Sequence, residues 1–248
     1  MRIFKNILEI FFPNHCISCS KIIAKEALFC IICWPKLQFI TEPKCKICSY
    51  PFGNKNNQTT SELLCSRCIS KKPSFDKVIT IFRYNDIVKK IIGDLKYRDQ
   101  TFIAKKLAKL LSNKIKLELD NADIITIVPL HKKRLSKRKF NQAALLAKAV
   151  IYKKSPILYL DLLLRKKNSE SQVKLTKKQR EKNLQNIFIV KEKYRNLISG
   201  QKILIIDDVT TTGATIENCA KVLKKFGAKE VVITTIAKTI LNDPNLFT

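Results

Sequence analysis

Glycine is scarce in this sequence, and the few glycines present exclude one large class of phosphate-binding protein. Only five occur in 248 residues, at Gly53, Gly93, Gly200, Gly213 and Gly227. None precedes the Lys-Ser or Lys-Thr pair that ends the glycine-rich loop of nucleotide hydrolases, so that loop is ruled out. Long apolar runs are also missing. No run approaches the roughly 18 residues that a helix needs to cross a bilayer, so we expect no membrane span.

Acidic residues are few. The chain has 48 Lys and Arg against 20 Asp and Glu, a formal net charge of +28. A basic surface attracts phosphate backbones, so the charge indicates a polyanionic partner. Coding bias is the alternative explanation, because only nine of the basic residues are Arg and the chain is rich in Ile and Asn. The distribution favours function: residues 131–182 hold 17 basic and three acidic residues, a net of +14.

The length suggests one or two domains with a packed core. Hydrophobic residues make up 46% and charged residues 27%, which is typical of a soluble globular chain. Residues 1–12 are apolar and basic but lack a small-residue cleavage site and run directly into cysteines. We therefore predict a short amphipathic helix there, in a cytoplasmic protein.

Eight of the nine cysteines form four C-x-x-C pairs within residues 16–68. Each pair sets two thiolates on one side of a tight turn, and two pairs complete a tetrahedral zinc site. Disulfides are disfavoured in a reducing cytosol. Two structural zinc ions are therefore predicted. The C-x-x-C pairs can combine consecutively or in a crossed order, and the spacing leaves both open. Lys71-Lys72-Pro73 marks a predicted boundary between domains 1–72 and 73–248. The predicted ligands are Cys16, Cys19, Cys30, Cys33, Cys45, Cys48, Cys65 and Cys68.

Strand and helix patterns alternate after this boundary. The alternation predicts an α/β fold, with a parallel sheet flanked by helices and right-handed crossovers, preceded by the cysteine-rich ribbons. Residues 165–183 show little apolar period and are predicted to form a mobile flap over the substrate. The predicted strands are 78–84, 123–128, 187–190, 203–206 and 231–236, and the predicted helices are 87–95, 101–117, 140–152 and 214–226.

Residues 203–215 carry the main prediction of a ligand site. Residues 203–206 are four branched apolar residues that predict a strand buried on both faces, which stops at Asp207 and Asp208. A loop of hydroxyls with one glycine then opens a helix, and this arrangement makes a phosphate cradle from free backbone N–H groups. The carboxylates would repel a phosphate unless they bound another part of the same ligand. A ribose 5-phosphate would suit both groups, because its free diol can donate to the carboxylates while its phosphate binds the cradle. The alternative interpretation is a buried strand with a polar cap and no ligand. The predicted loop donors are Thr210, Thr211, Thr212, Gly213, Ala214 and Thr215.

A basic turn follows the predicted strand 123–128 and contains Lys132, Lys133 and Arg134. Ligands bind at the carboxyl ends of strands in open α/β sheets, so this turn is expected beside the Asp207 loop. Its cations would suit a pyrophosphate, and a solvated lysine-rich loop is the alternative.

The stretch 203–215 resembles the 5-phosphoribosyl-1-pyrophosphate (PRPP) motif of type I phosphoribosyltransferases, and nearly the whole chain resembles the ComF family (ComFC and GntX proteins). The family's glycine is replaced by Lys139. The residues that carry the likeness, besides the cysteine pairs and the Asp-Asp cradle, are Leu95-Lys96-Tyr97, Val128-Pro129-Leu130-His131, Arg138-Lys139-Phe140-Asn141-Gln142, Gln172, Leu175, Arg180, Asn183 and Phe188.

The resemblance implies a double zinc ribbon followed by a type I phosphoribosyltransferase-like domain, and a role in DNA uptake during natural transformation with single-stranded DNA. The implied chemistry is displacement of pyrophosphate at C1 of PRPP with magnesium, Asp207 and Asp208 holding the ribose hydroxyls and residues 211–215 the 5′-phosphate. Three hypotheses remain open. The chain is a transferase with an unidentified acceptor, a module that binds a phosphoribosyl ligand and single-stranded DNA without turnover, or a scaffold that docks a competence helicase.

Overall fold

The computed structural model describes residues 13–53, 63–97, 101–130, 140–151, 156–166 and 187–240. Several predictions lie outside these residues: the helix at 1–12, the turn at Lys132, Lys133 and Arg134, and the flap beyond Lys166. Among the described residues, none of the helices combines the length and the apolar character that crossing a bilayer requires.

The described part of the chain contains seven strands. Five form one parallel sheet in the order β1-β7-β6-β2-β3, and β4 pairs antiparallel with β5. The predicted parallel sheet is thus confirmed. The strands are β1 (Lys77–Arg83), β2 (Ile124–Ile127), β3 (Ile157–Tyr159), β4 (Leu163–Arg165), β5 (Phe188–Val190), β6 (Lys202–Thr210) and β7 (Glu230–Lys238).

The helices follow the apolar periodicity of the sequence. The predicted helix 101–117 is divided at Ile115, which is fully buried between two shorter helices. Two 3₁₀ turns occupy Trp34–Lys36 and Glu192–Leu197. The α-helices are α1 (Ser66–Ser70), α2 (Asp86–Tyr97), α3 (Thr101–Lys114), α4 (Lys116–Asn121), α5 (Gln142–Val150) and α6 (Ala214–Lys225).

Strand β6 lies at the centre of the sheet and is buried on both faces. Leu204 and Ile206 belong to an apolar cluster formed with α2, α3 and α5. Ile203 and Ile205 belong to a second cluster that includes the inner face of α6. Successive strand side chains point to opposite faces, so the run of branched residues is explained by helices on both sides.

The prediction for residues 187–190 was wrong in one respect. They form β5, but β5 pairs with β4 in a separate two-stranded antiparallel sheet. The main sheet takes its fifth strand from β3, which sequence analysis missed because it is three residues long and begins at the exposed Ile157. Arg165, expected in the flap, is the last residue of β4.

The first zinc ribbon, residues 14–40, packs into the main domain. Its Phe29 and Leu37 are buried in the same cluster as Phe82 of β1. The backbone of residues 38–40 also lies antiparallel to β1, because the Ile40 N–H donates to the Ile81 carbonyl at 2.8 Å and the Arg83 N–H donates to the Gln38 carbonyl at 2.8 Å. This ribbon therefore covers the outer edge of β1.

Candidate functional site

Both zinc ribbons contain the same backbone turn. In the first, the Ser20 N–H donates to the Cys16 carbonyl at 2.9 Å, and in the second the Ser49 N–H donates to the Cys45 carbonyl at 2.9 Å. Ser20 and Ser49 have φ values of 60° and 56°. These left-handed conformations favour glycine, and an L-residue adopts them at a small cost in conformational energy. The turns bring the thiols of Cys16 and Cys19, and those of Cys45 and Cys48, close together.

The eight predicted ligands form two groups of four, and this arrangement settles the pairing. In each group the four Sγ atoms lie within 4.8 Å of one another. The first pair of cysteines joins the second, and the third joins the fourth, so the pairing is consecutive. The groups are Cys16, Cys19, Cys30 and Cys33, and Cys45, Cys48, Cys65 and Cys68.

The spacing of the thiols fits a tetrahedral zinc ion. Four thiolates bound at about 2.3 Å from one zinc would stand roughly 3.8 Å apart. The Sγ atoms of Cys19 and Cys30 are 3.6 Å apart, and so are those of Cys48 and Cys65. An all-thiolate set of four ligands leaves no open position, which is typical of a structural ion that stabilises a small fold.

The second feature of the site is the end of β6. Asp207 and Asp208 were expected just after the strand, but β6 continues through them to Thr210. The reason is its pairing: β2 pairs with β6 only as far as Ile206, whereas β7 continues to Thr210. The two carboxylates therefore lie on a strand that has lost its neighbour on one side, at the carboxyl edge of the sheet where α/β proteins bind ligands.

Backbone hydrogen bonds orient both carboxylates. The Asp208 N–H donates to Asp207 Oδ1 at 2.9 Å, and the Val209 N–H donates to Asp208 Oδ1 at 2.7 Å. Asp208 Oδ2 forms an ion pair with Lys96 Nζ at 2.7 Å, and both side chains are less than one-fifth exposed. Sequence analysis quoted Lys96 only within a motif and assigned it no role. A contact between residues so distant in the chain has no local signal.

The two carboxyl groups differ in their surroundings. Asp208 lies on the face of β6 that contacts α2, and Lys96 lies in the last turn of that helix. Asp207 lies on the opposite face of β6. Burial raises the pKa of the Asp207 carboxyl well above its usual range, and repulsion from Asp208 adds to the shift. The pair thus combines a lysine-bound carboxylate with a group that is costly to ionise.

This difference predicts a pH-dependent stability. The folded protein binds the Asp207 proton more tightly than the unfolded chain does. The resulting contribution to the free energy of unfolding is fully present below the unfolded pKa and is lost as pH rises through the folded pKa. Asp207→Asn, neutral at every pH, is therefore expected to raise the free energy of unfolding at pH 7. The gain should shrink towards pH 4, as measured by denaturant unfolding at both pH values.

Asp161 offers a control of opposite sign. Hydrogen bonds from Lys191 and Tyr194 lower the pKa of Asp161 to about 2. Its contribution is present above the unfolded pKa and is lost as pH falls through the folded pKa. Asp161→Asn should therefore lower the free energy of unfolding at pH 7. Equal effects of the two substitutions would contradict the assignment of Asp207 as a carboxyl whose pKa is raised by folding.

The predicted phosphate loop, residues 211–215, follows β6. Gly213 precedes α6 with φ 85° and ψ −6°, a conformation that favours glycine. The first N–H groups of α6 have no carbonyl partners within the helix, and the helix dipole favours an anion in front of them. Thr211 and Thr212 are exposed, whereas Thr210 is buried and pairs with β7. The loop residues predicted to bind phosphate thus lie together at one helix N-terminus.

The second zinc ribbon contacts this loop, which sequence analysis did not anticipate. Arg67, on α1 between two zinc ligands, donates to the Thr212 carbonyl at 3.2 Å. Lys238, at the end of β7, donates to the Cys48 carbonyl at 2.9 Å. Glu217, in the first turn of α6, accepts from the Ser74 hydroxyl at 2.7 Å. These contacts place the metal centre and the phosphate loop against each other.

The turn predicted to bind pyrophosphate lies outside the described residues, but Val128 before it and Asn141 after it are described. Asn141 caps α5 by accepting from the Ala143 N–H at 2.9 Å. Its amide also donates to the Val128 carbonyl, just beyond β2, at 3.2 Å. The described residues Val128 and Asn141 therefore lie together near the carboxyl edge of β2, the neighbour of β6. The assignment of Lys132, Lys133 and Arg134 to pyrophosphate stays a prediction.

Comparison with known families supports this architecture. Residues 7–72 match the double zinc ribbon domain, and residues 96–240 match the phosphoribosyl transferase domain. The second match covers more than half of the chain and contains β6, the phosphate loop and α6. The chain belongs to the phosphoribosyl transferase domain family, with a double zinc ribbon in front, and this combination confirms the ComF family resemblance.

Several curated proteins are similar over most of the chain. Competence protein F of Haemophilus influenzae is 28% identical over 235 residues, which cover 92% of this chain and 98% of that protein. DNA utilization protein YhgH of Salmonella typhi is 27% identical over 201 residues, 79% of this chain and 84% of that protein. Competence protein ComFC of Streptococcus pneumoniae is 32% identical over 151 residues, 61% of this chain and 63% of that protein.

Proposed function

We propose that this protein binds PRPP at the junction of β6 and α6 and acts as a phosphoribosyltransferase-like protein in DNA uptake or DNA utilisation. The observation that carries the proposal is the pair of backbone-oriented carboxylates on a strand that leads directly into a glycine-started helix. Acceptors for a diol and donors for a phosphate thus lie next to each other along one stretch of chain. A ribose with a 5′-phosphate presents these groups in the same order.

Each part of PRPP has a place in this arrangement. The loop Thr211–Thr215, with the N–H groups of the first turn of α6, receives the 5′-phosphate. Asp207 and Asp208 accept hydrogen bonds from the ribose hydroxyls. Lys96 lies beside Asp208 and, with Lys132, Lys133 and Arg134, provides positive charge for the pyrophosphate. Magnesium bound to PRPP would add positive charge at the same group.

The chemistry proposed is displacement of pyrophosphate from C1 of the ribose by an acceptor nucleophile. The bond from C1 to the pyrophosphate oxygen breaks, its electrons leave with the pyrophosphate, and the acceptor forms the new bond to C1. The protein supplies no nucleophile. Its residues position the sugar and stabilise charge, effects that account for a large share of many enzymatic rate enhancements. The acceptor is left open.

The biological role is inferred from the relatives and from charge. Two of the relatives are named as competence proteins and one as a DNA utilization protein. A net charge of +28 is suited to a polyanion such as single-stranded DNA. We place the protein in the cytoplasm, with DNA and a competence helicase as proposed partners. The same charge favours the alternative function, a module that binds DNA and a phosphoribosyl ligand without catalysis.

The proposal predicts magnesium-dependent binding of PRPP that depends on the acid pair. In calorimetry, Asp208→Asn should weaken binding by roughly 10- to 100-fold, because it removes a charged acceptor worth about 1.5–3 kcal/mol. Asp207→Asn should weaken binding less, because the raised pKa of Asp207 leaves less negative charge to remove. Asp86→Asn, an exposed carboxylate at the start of α2, is the matched control and should bind as the wild type does. Unchanged affinity in both acid-pair variants would remove the ribose assignment.

A second assay separates the two functions. Pyrophosphate release from PRPP would be measured with nucleobases and with single-stranded DNA as candidate acceptors. Turnover supports the transferase. PRPP binding without turnover, together with DNA binding that weakens steeply as salt rises, supports the binding module.

A further inference from the structure

A cleft lies beside the contact between Arg67 of the second zinc ribbon and Thr212 of the phosphate loop. Its volume is about 560 Å³. One wall is formed by α1 and the residues that follow it, and the other by Thr211, Thr212 and Gly213. Small-molecule sites occupy roughly 300–1,000 Å³, so the cleft holds much more than one phosphoryl group.

Cationic side chains line the cleft on two sides. Arg67 and Lys71 contribute cations from the ribbon side, and Lys238 contributes one from the end of β7. Anionic groups also line it: the thiols of Cys48, Cys65 and Cys68, which bind zinc as thiolates, and Glu217. The Glu217 carboxylate already accepts from the Ser74 N–H at 2.9 Å and from the Ser74 hydroxyl at 2.7 Å. Arg67 has five N–H donors and uses one on the Thr212 carbonyl. Its guanidinium can therefore bind the loop and an anion together.

The cleft extends away from the sugar position. The phosphate loop lines it, but neither Asp207 nor Asp208 is among the described residues that do so. The phosphate loop therefore borders the cleft, whereas the acid pair precedes the loop on β6. A ligand whose 5′-phosphate sits on the loop and whose diol meets the carboxylates can extend a further substituent of that phosphate into the cleft, because the loop residues Thr211, Thr212 and Gly213 line it.

We propose that this cleft is a subsite for a second phosphoryl group attached to the 5′-phosphate, so that the protein accepts ribose 5′-diphosphate esters as well as ribose 5-phosphate. The inference rests on the proposed phosphate site and specifies its ligand class. Arg67 and Lys71 bind the outer phosphoryl group. The cysteines on either side of Arg67, Cys65 and Cys68, would hold a zinc ion, and that ion would fix the position of α1 beside the loop. The zinc ribbon thereby becomes part of a ligand site.

The test compares ribose 5-phosphate with ADP-ribose, whose terminal ribose has a free diol and a 5′-phosphate that continues into a second phosphoryl group. Calorimetry on the full zinc-loaded chain should show ADP-ribose binding at least about tenfold more tightly, since charge-assisted hydrogen bonds to phosphate are strong. Lys71→Ala and Arg67→Ala should each remove most of that advantage. In Lys71→Ala the affinity for ribose 5-phosphate should stay within about twofold, because Lys71 belongs to the ribbon wall of the cleft and not to the loop. Lys21→Ala, the same charge change on the first ribbon, should have no effect.

The outcomes separate this inference from the function on which it depends. Equal affinities for the two ligands in the wild type would overturn the subsite and leave the phosphate site intact. An advantage for ADP-ribose that persists in both variants would also overturn it, because the adenosine half would then bind elsewhere. Failure of both ligands to bind would reject the phosphate site itself. Zinc content measured in each variant shows whether the second ribbon is intact.

Discussion

Removal of zinc is expected to unfold the second ribbon while the parallel sheet stays folded. The buried cluster of this ribbon is small and consists of Tyr50 and three of the cysteine ligands, with a few half-buried neighbours. So little apolar surface cannot offset the conformational entropy of the segment, and structural zinc contributes on the order of 10 kcal/mol in comparable sites. Hydrogen exchange on chelator-treated protein should show loss of protection at the Cys45 and Ser49 amides.

Single substitutions refine this expectation. Cys65→Ser should lose one of two zinc ions and all protection in the second ribbon. Cys33→Ser should lose the other ion but keep partial protection, because Phe29 and Leu37 of the first ribbon remain buried against Phe82. Cys219→Ser, a buried cysteine on α6 outside both clusters, should keep two ions. Retention of both ions by Cys65→Ser would refute the four-cysteine site.

Lys96→Met is expected to destabilise the protein by about 2–3 kcal/mol. The substitution leaves the Asp208 carboxylate without its cation, and breaking a buried ion pair costs about 3–5 kcal/mol. The lower figure allows for the side chains' residual exposure of 19% for Lys96 and 14% for Asp208. Denaturant unfolding measures the loss.

A double-mutant cycle identifies the cause. Asp208→Asn in the Lys96→Met background should recover most of the stability, because the uncompensated charge is removed. Lys89→Met is the matched control, an exposed lysine on the same helix, and should change stability by less than about 0.5 kcal/mol. Additive effects of the Lys96 and Asp208 substitutions would show that the ion pair carries no coupling energy.

Local patterns were sufficient to predict the parts of this protein that depend on local chemistry. The C-x-x-C turns are defined within a few residues, and the strand-loop-helix stretch from Ile203 to Thr215 combines a buried strand, acids and a glycine in one window. Both were found where the sequence indicated. Strand β6 extended four residues further than predicted, because hydrogen bonds from β7 rather than side-chain apolarity determine where it ends.

Features that depend on distant contacts could not be predicted. The spacing of the cysteine pairs is compatible with consecutive or crossed pairing, and only the packing of each ribbon decides between them. Strands β3 and β4 have three residues each, too short for a clear alternation of apolar and polar positions. Strand β5 was predicted, but its antiparallel partner β4 was not. Arg67 and Thr212 are 145 residues apart. Their contact depends on how the second ribbon docks beside the phosphate loop.

The backbone of residues 38–40 has a consequence for self-association. An uncovered outer strand presents a row of free N–H and C=O groups, to which a strand of another molecule can add. Here the hydrogen bonds at Ile40 and Arg83 already occupy part of that row on β1. The first ribbon thus blocks addition of a strand from another molecule at this edge of the sheet. Deleting the ribbon would expose the edge of β1 and promote aggregation, as well as removing one zinc site.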